Sequence, residues 1–230
     1  MYRTPFDVRN YARRDGFLGL VSQQQRLYVV QGEQGLARLP SRRLRGREIA
    51  LFWSLHEPAA QMAQRIAEGA RVREFSLVEM LASVLPGLAV NCRLAGLDWT
   101  GEDDVTELDP LDLSDRLRLA SLNVFVQSVQ RSGSVFTIEG PYGPGLLRSQ
   151  SNPEILVLPV WAQAGEAHAR LEGPWRNMLV IETPLHDFLA RRMAWLSLNG
   201  HLVGPDYKDG PGVLEMQPAD LAAYFPNPAA

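Results

Sequence analysis

The sequence is poorest in cysteine and lysine, with one of each among 230 residues, Cys92 and Lys208. A lone cysteine excludes an intrachain disulfide and any CxxC metal or redox motif, and it predicts a reducing compartment, the cytoplasm. Histidine is scarce too, at four residues with no HxxxH spacing, so no metal site is expected. No apolar run approaches the roughly 18 residues of a membrane span. The opening MYRTPFDVRNYARRDGF has no signal-peptide core. Neither a membrane partner nor a secretion signal is expected. GxSxG, GxxxxGK[ST] and a strand followed by GxGxxG are all missing, which removes the usual signatures of a serine nucleophile and of a phosphate-cradling loop. The reading is therefore no catalytic residues and no cofactor. The net charge of −3 is too small to imply nucleic acid.

What the chain does have is an internal copy. NCRLAGLDWTGEDDVTELDPLDL from Asn91 to Leu113 returns as NGHLVGPDYKDGPGVLEMQPADL from Asn199 to Leu221, at a constant offset of 108 residues. Leu94, Gly96, Asp98, Val105 and Glu107 recur as Leu202, Gly204, Asp206, Val213 and Glu215. Solenoid and propeller repeats run roughly 20 to 50 residues, so this period means a duplicated domain. The boundaries expected are 1–116 and 117–230.

Within each copy the elements alternate. A helix is expected over 6–22, with a break around Asp15-Gly16, and its counterpart over 114–131 opens at Ser114-Asp115. Leu27–Val30 and Val135–Ile138 are β-branched and aromatic runs followed by Gly32/Gly35 and Gly140/Gly143, which reads as a hairpin with glycine turn positions. Ile49–Trp53 and Val157–Trp161 read as buried strands, each ending in a core tryptophan, with a ligand-stacking platform as the alternative. Ser76 and Glu79 form a capping box, and Thr183 with Pro184 is expected to start the matching helix. The fold class predicted is α+β: two duplicated domains, each a small mixed or antiparallel sheet flanked by helices.

On these residues the chain resembles, twice over, a bacterial family of domains of unknown function, number twenty-seven fifty. The carriers are the strand Leu51–Ser54 or Leu158–Trp161, the phrase Leu85-Pro86-Gly87-Leu88, and the segment Gly96–Gly101 with an acidic-proline helix start after it. The sequence has Asp98 and Asp206 where that segment commonly carries Asn, and Ala194-Trp195 in place of Pro86-Gly87. The resemblance implies architecture and brings no catalytic residues with it.

Charge supplies the functional expectation. Residues 98–115 hold eight acidic side chains and no basic one. Asp98, Trp99, Glu102, Asp103, Asp104, Glu107 and Asp109 are the candidate partner-binding face, with Asp206, Tyr207 and the arginines Arg42, Arg43 and Arg45 as secondary candidates. An acidic face on a small non-enzymatic protein suits capture of a basic protein. The expectation is a cytoplasmic immunity protein that occludes the active site of a bacterial toxin domain. The alternatives are a small-ligand or enzymatic pocket at Trp53, Asp98 and Trp99, and an adaptor in secretion or regulation.

Overall fold

The computed structural model describes residues 5–33, 35–66, 69–101, 105–208 and 214–225, without the side chains of 5–9. Glu102, Asp103, Asp104 and Val213 lie outside the described residues. The chain divides into two compact units between Ser121 and Leu122.

The first unit opens with helix α1 (Pro5–Gln24), strand β1 (Arg26–Gly32), the short strands β2 (Gly35–Leu36) and β3 (Arg38–Pro40), and β4 (Glu48–Phe52). Helix α2 (His56–Ile66) leads to β5 (Arg71–Ser76). Then α3 (Leu77–Glu79), a π-helical turn (Met80–Val84) and α4 (Leu85–Val90) run on without interruption. Strands β6 (Leu94–Leu97) and β7 (Thr106–Leu108) complete the set, and α5 (Pro110–Ser132) continues into the second unit.

That unit repeats the order with β8 (Ser134–Gly140), β9 (Gly143–Pro144), β10 (Leu147–Arg148) and β11 (Leu156–Val160). After α6 (Ala164–His168) and a 3₁₀ turn (Gly173–Trp175) comes β12 (Leu179–Pro184). It ends with α7 (Leu185–Asp187), a second π-helical turn (Phe188–Arg192), α8 (Met193–Leu198), β13 (Leu202–Pro205) and α9 (Pro218–Ala222).

Each unit is α+β, with two small sheets flanked by helices. In the first, an antiparallel sheet of order β2-β1-β5 is joined through a Tyr28–Trp53 bridge to a mixed sheet of order β3-β4-β6-β7, in which β4 and β6 are parallel. In the second, the sheets are β9-β8-β12 and β10-β11-β13, bridged at Phe136–Trp161, and β11 and β13 are the parallel pair. Strands β4 and β11 are buried along nearly their whole length because helices cover both faces, which is why they read as continuous apolar runs. On one side Phe17, Val21, Phe52, Leu85, Leu97 and Leu117 form a core; on the other Tyr28, Leu51, Trp53 and Met62 form a second. Burying such side chains stabilises a domain by about 1.5 to 3 kcal/mol each before entropy is counted.

Three local expectations are corrected. Helix α1 passes through Asp15-Gly16 without a break, because burial of Phe17, Leu18 and Val21 outweighs the roughly 1 kcal/mol cost of a helical glycine. Helix α5 starts at Pro110, where Asp109 Oδ1 accepts from the Leu111 amide at 2.9 Å, so Ser114 lies inside the helix and is buried. Thr183 is not a helix cap: it belongs to β12, and Pro184 holds the cap position without a side-chain bond. In the first unit Ser76 does cap, accepting from the Glu79 amide at 3.1 Å, while Glu79 pairs with Arg73.

Candidate functional site

The polar residues retained in both copies hold loops. Asp98 has a left-handed backbone (φ 43°) and accepts from the Ser54 amide at 2.7 Å and the Ser54 hydroxyl at 2.9 Å, tying the turn after β6 to the end of β4. Trp53 is fully buried and donates from Nε1 to the Trp99 carbonyl at 2.9 Å. Trp53 and Asp98, two residues of the alternative ligand pocket, thus spend these polar atoms on bonds within the fold. Asp206 shares the 43° backbone and accepts from the Ala162 amide at 3.1 Å, and the buried Trp161 donates to the Tyr207 carbonyl at 3.0 Å. Ala162 replaces Ser54, so the hydroxyl donor is gone. Burial, then the nearby charge of Glu166, pushes the Asp206 carboxyl up to about 7. Burial also raises Asp98, against the Ser54 bonds that lower it.

Glu107 is buried rather than displayed. It accepts from the Ser41 hydroxyl at 2.6 Å and the Arg42 amide at 3.3 Å, and its carbonyl accepts from Arg43 at 3.2 Å. The arginine loop carrying Arg42, Arg43 and Arg45 is therefore folded onto a carboxylate. Glu215 does the same for the second unit, accepting from the Gln150 amide at 2.9 Å and the Ser149 hydroxyl. Of the candidate carboxylates, Glu107 is buried and Asp98 is half-buried and bonded to Ser54, whereas Asp109 is exposed at the start of α5. Among the described residues no three His, Cys, Asp or Glu side chains gather to hold a metal ion.

The units differ at their edge strands, β5 and β12. Phe136 and Trp161 exchange backbone bonds of 2.9 Å, and the Ile138 carbonyl accepts from Gly145 at 2.8 Å, so Phe136 and Ile138 turn their backbones away from β12. Val135, Thr137 and Glu139 consequently face it, opposite Thr183, Ile181 and Leu179. By alternation, the N–H and C=O groups of Val180 and Glu182 point off the sheet. The same logic, from the 2.8 Å bonds of Tyr28 with Trp53 and of Ala37 with Val30, leaves Val72 and Glu74 outward on β5.

The first unit guards that edge. Arg71, Arg73 and Glu74 are exposed charges, Phe75 is buried in the core, and the Arg73 guanidinium lies 4.4 Å from the centre of the Phe75 ring while pairing with Glu79 at 3.2 Å. The second unit has Leu179, Ile181 and Thr183 at these positions. Thr183 does not fill the space of Phe75, and an open groove of about 410 Å³ remains, lined by Thr183, Asp187, Arg191, Arg192 and Trp195. Arg192 is paired with Glu139. Arg191 is largely exposed, and its Nε lies 3.5 Å from Asp187. Trp195 stands where the first unit has Gly87, edge-on to His201 at 5.4 Å between ring centres.

The family described as Protein of unknown function (DUF2750) matches residues 15–117 and again 122–225. The chain belongs to that family, as a tandem pair. Each DUF2750 copy begins within α1 or α5 and takes in both sheets and the π-turned helix of its unit. No curated protein matches the sequence. Among solved structures the chain is similar to Anabaena Tic22 (protein transport), at 12% identity and a TM-score of 0.27, covering 94% of this chain and 98% of that one. It is also similar to Tic22 from Plasmodium falciparum, at 6% identity and a TM-score of 0.25, covering 73% and 84%. The expected toxin-neutralising immunity protein is corrected: neither the matching family nor the two Tic22 structures is described as a toxin inhibitor. At these scores the likeness transfers no function in its place.

Sequence reading missed β5 and β12, both π turns and the groove. The alternation Leu179, Ile181, Thr183 was the available signal for β12. The exchange of Pro86-Gly87 for Ala194-Trp195 marked the place where the copies part.

Proposed function

We propose that the protein is a non-catalytic binding protein that receives an extended segment of a partner protein by strand addition to β12 of the second unit. The observation that carries this reading is the outward-facing backbone of Val180 and Glu182, on an edge whose outer side pairs with no strand among the described residues. Strand addition gains affinity from main-chain bonds and selectivity from alternate side chains. The apolar row Leu179 and Ile181 supplies the second. The fold uses its retained carboxylates as loop staples, which favours binding over catalysis. A free, exposed Cys92 fits a reducing bacterial cytoplasm as the place of action. No helix among the described residues is long and apolar enough to cross a membrane, and we take the partner to be a protein, not a membrane or a nucleic acid.

The test is selection of random octapeptides on the full chain and on Glu182→Pro. Glu182 is exposed and its N–H points outward, so proline there removes one edge donor while leaving the bonds to β8. Peptides enriched on the natural chain should lose binding to Glu182→Pro, whose circular dichroism should be unchanged. Equal binding to both would refute strand addition.

A further inference from the structure

The groove at the end of β12 says which segment fits. Resting on the strand-addition reading, we infer that Arg191, Thr183 and Trp195 form a subsite for a carboxylate side chain at the N-terminal end of the incoming strand, ahead of two alternating apolar residues.

The direction follows from the sheet. Among the described residues both pairings in β9-β8-β12 are antiparallel, and an added strand continuing that pattern runs opposite to β12. Its N-terminal end then lies beside Thr183 and its C-terminal end beside Leu179. The face follows from alternation. Residues facing Thr183, Ile181 and Leu179 are two apart, and they lie on the side of the sheet where Arg192 reaches Glu139 and the groove opens. The two residues between them meet the outward N–H and C=O groups of Glu182 and Val180. The pattern recognised is acidic-x-apolar-x-apolar.

The charge follows from what is already paired. Arg192 is half-buried and held by Glu139. Arg191 has 85% of its side chain exposed and, among the described residues, one long contact to Asp187, at 3.5 Å between Nε and Oδ1. An exposed pair of this kind contributes little, so exchanging Asp187 for a ligand carboxylate costs little. The guanidinium fork can then take both oxygens of the incoming group. Glu182, the nearest edge carboxylate, points to the opposite face of the sheet and does not oppose it. The first unit has Ser83 and Gly87 at the positions of Arg191 and Trp195, with Phe75 in the space, so it has no such subsite.

The experiment uses two fluorescein-labelled hexapeptides, Glu-Thr-Val-Thr-Val-Thr and Gln-Thr-Val-Thr-Val-Thr, capped at both ends, with anisotropy read on the full chain. The glutamate probe should bind about tenfold more tightly than the glutamine probe, as one charge-assisted pair supplies. Arg191→Gln should bring that ratio to one, and Asp187→Asn should enlarge it by removing the competing carboxylate. Equal affinities of the two probes on the natural chain, with both lost in Glu182→Pro, would overturn the acid subsite and leave strand addition standing. A preference that survives Arg191→Gln would also overturn the subsite. Absence of binding by either probe would overturn both.

Discussion

The two units are one design carried in two states, closed at β5 and open at β12. Both have the edge strand, the π turn after it and the outward backbone of two residues. Only the side chains differ. Phe75 under Arg73 closes the first; Thr183, beside Arg191 and Trp195, leaves the second open. The comparison teaches that in a duplicated chain retained polar residues mark what the fold requires, and the departures mark where a surface has been released for use.

The largest effect should come at the plug itself. Phe75→Ala should lower stability by about 3 kcal/mol in denaturant unfolding, as emptying a buried aromatic site does, whereas Thr183→Ala should cost less than about 1 kcal/mol. Similar costs at both positions would mean that the second edge is as filled as the first. Next, Glu107→Gln and Glu215→Gln should each cost about 1 to 3 kcal/mol, because hydroxyl and amide donors lose a charged acceptor. A thermal-unfolding series that leaves either unchanged would break the view that these carboxylates are staples.

A pH difference should follow in the second unit. The folded Asp206 carboxyl is raised from 3.8 to about 7, so the folded state holds its proton more tightly than the unfolded chain. Stability from this group is present below pH 4, falls as pH rises toward 7, and levels off above it. Asp206→Asn should flatten that slope, read by hydrogen exchange at β13. The smallest effect is expected at Arg73→Ala, under about 1 kcal/mol, since its pair with Glu79 is exposed on both sides.

Much of the fold was legible because the duplication allowed each weak signal to be read twice. Ile49–Trp53 and Val157–Trp161 looked like buried strands and are. The repeated Gly96 is explained by its neighbours: a Cβ there would lie 2.6 Å from Ile49 Cγ2. Cys92 and its counterpart Gly200 occupy one left-handed position, φ 52° and 66°, a backbone conformation that favours glycine. The site was not legible. The charge of 98–115 suggested an acidic face, but composition does not report which carboxylates turn inward, and Glu107 does. Thr183, Asp187, Arg191 and Trp195 recur every four residues, but that run crosses from a strand into a helix, so its spacing reads as one helix face and does not announce a groove beside an edge strand.

The measurement that tests the central claim most directly is residue-resolved hydrogen–deuterium exchange of the full chain with and without the glutamate hexapeptide at saturation. Outward amides exchange freely until a strand pairs with them. The account predicts protection at Val180 and Glu182 and no change at Val72 and Glu74. Protection on β5, or none on β12 with the peptide bound, would contradict it.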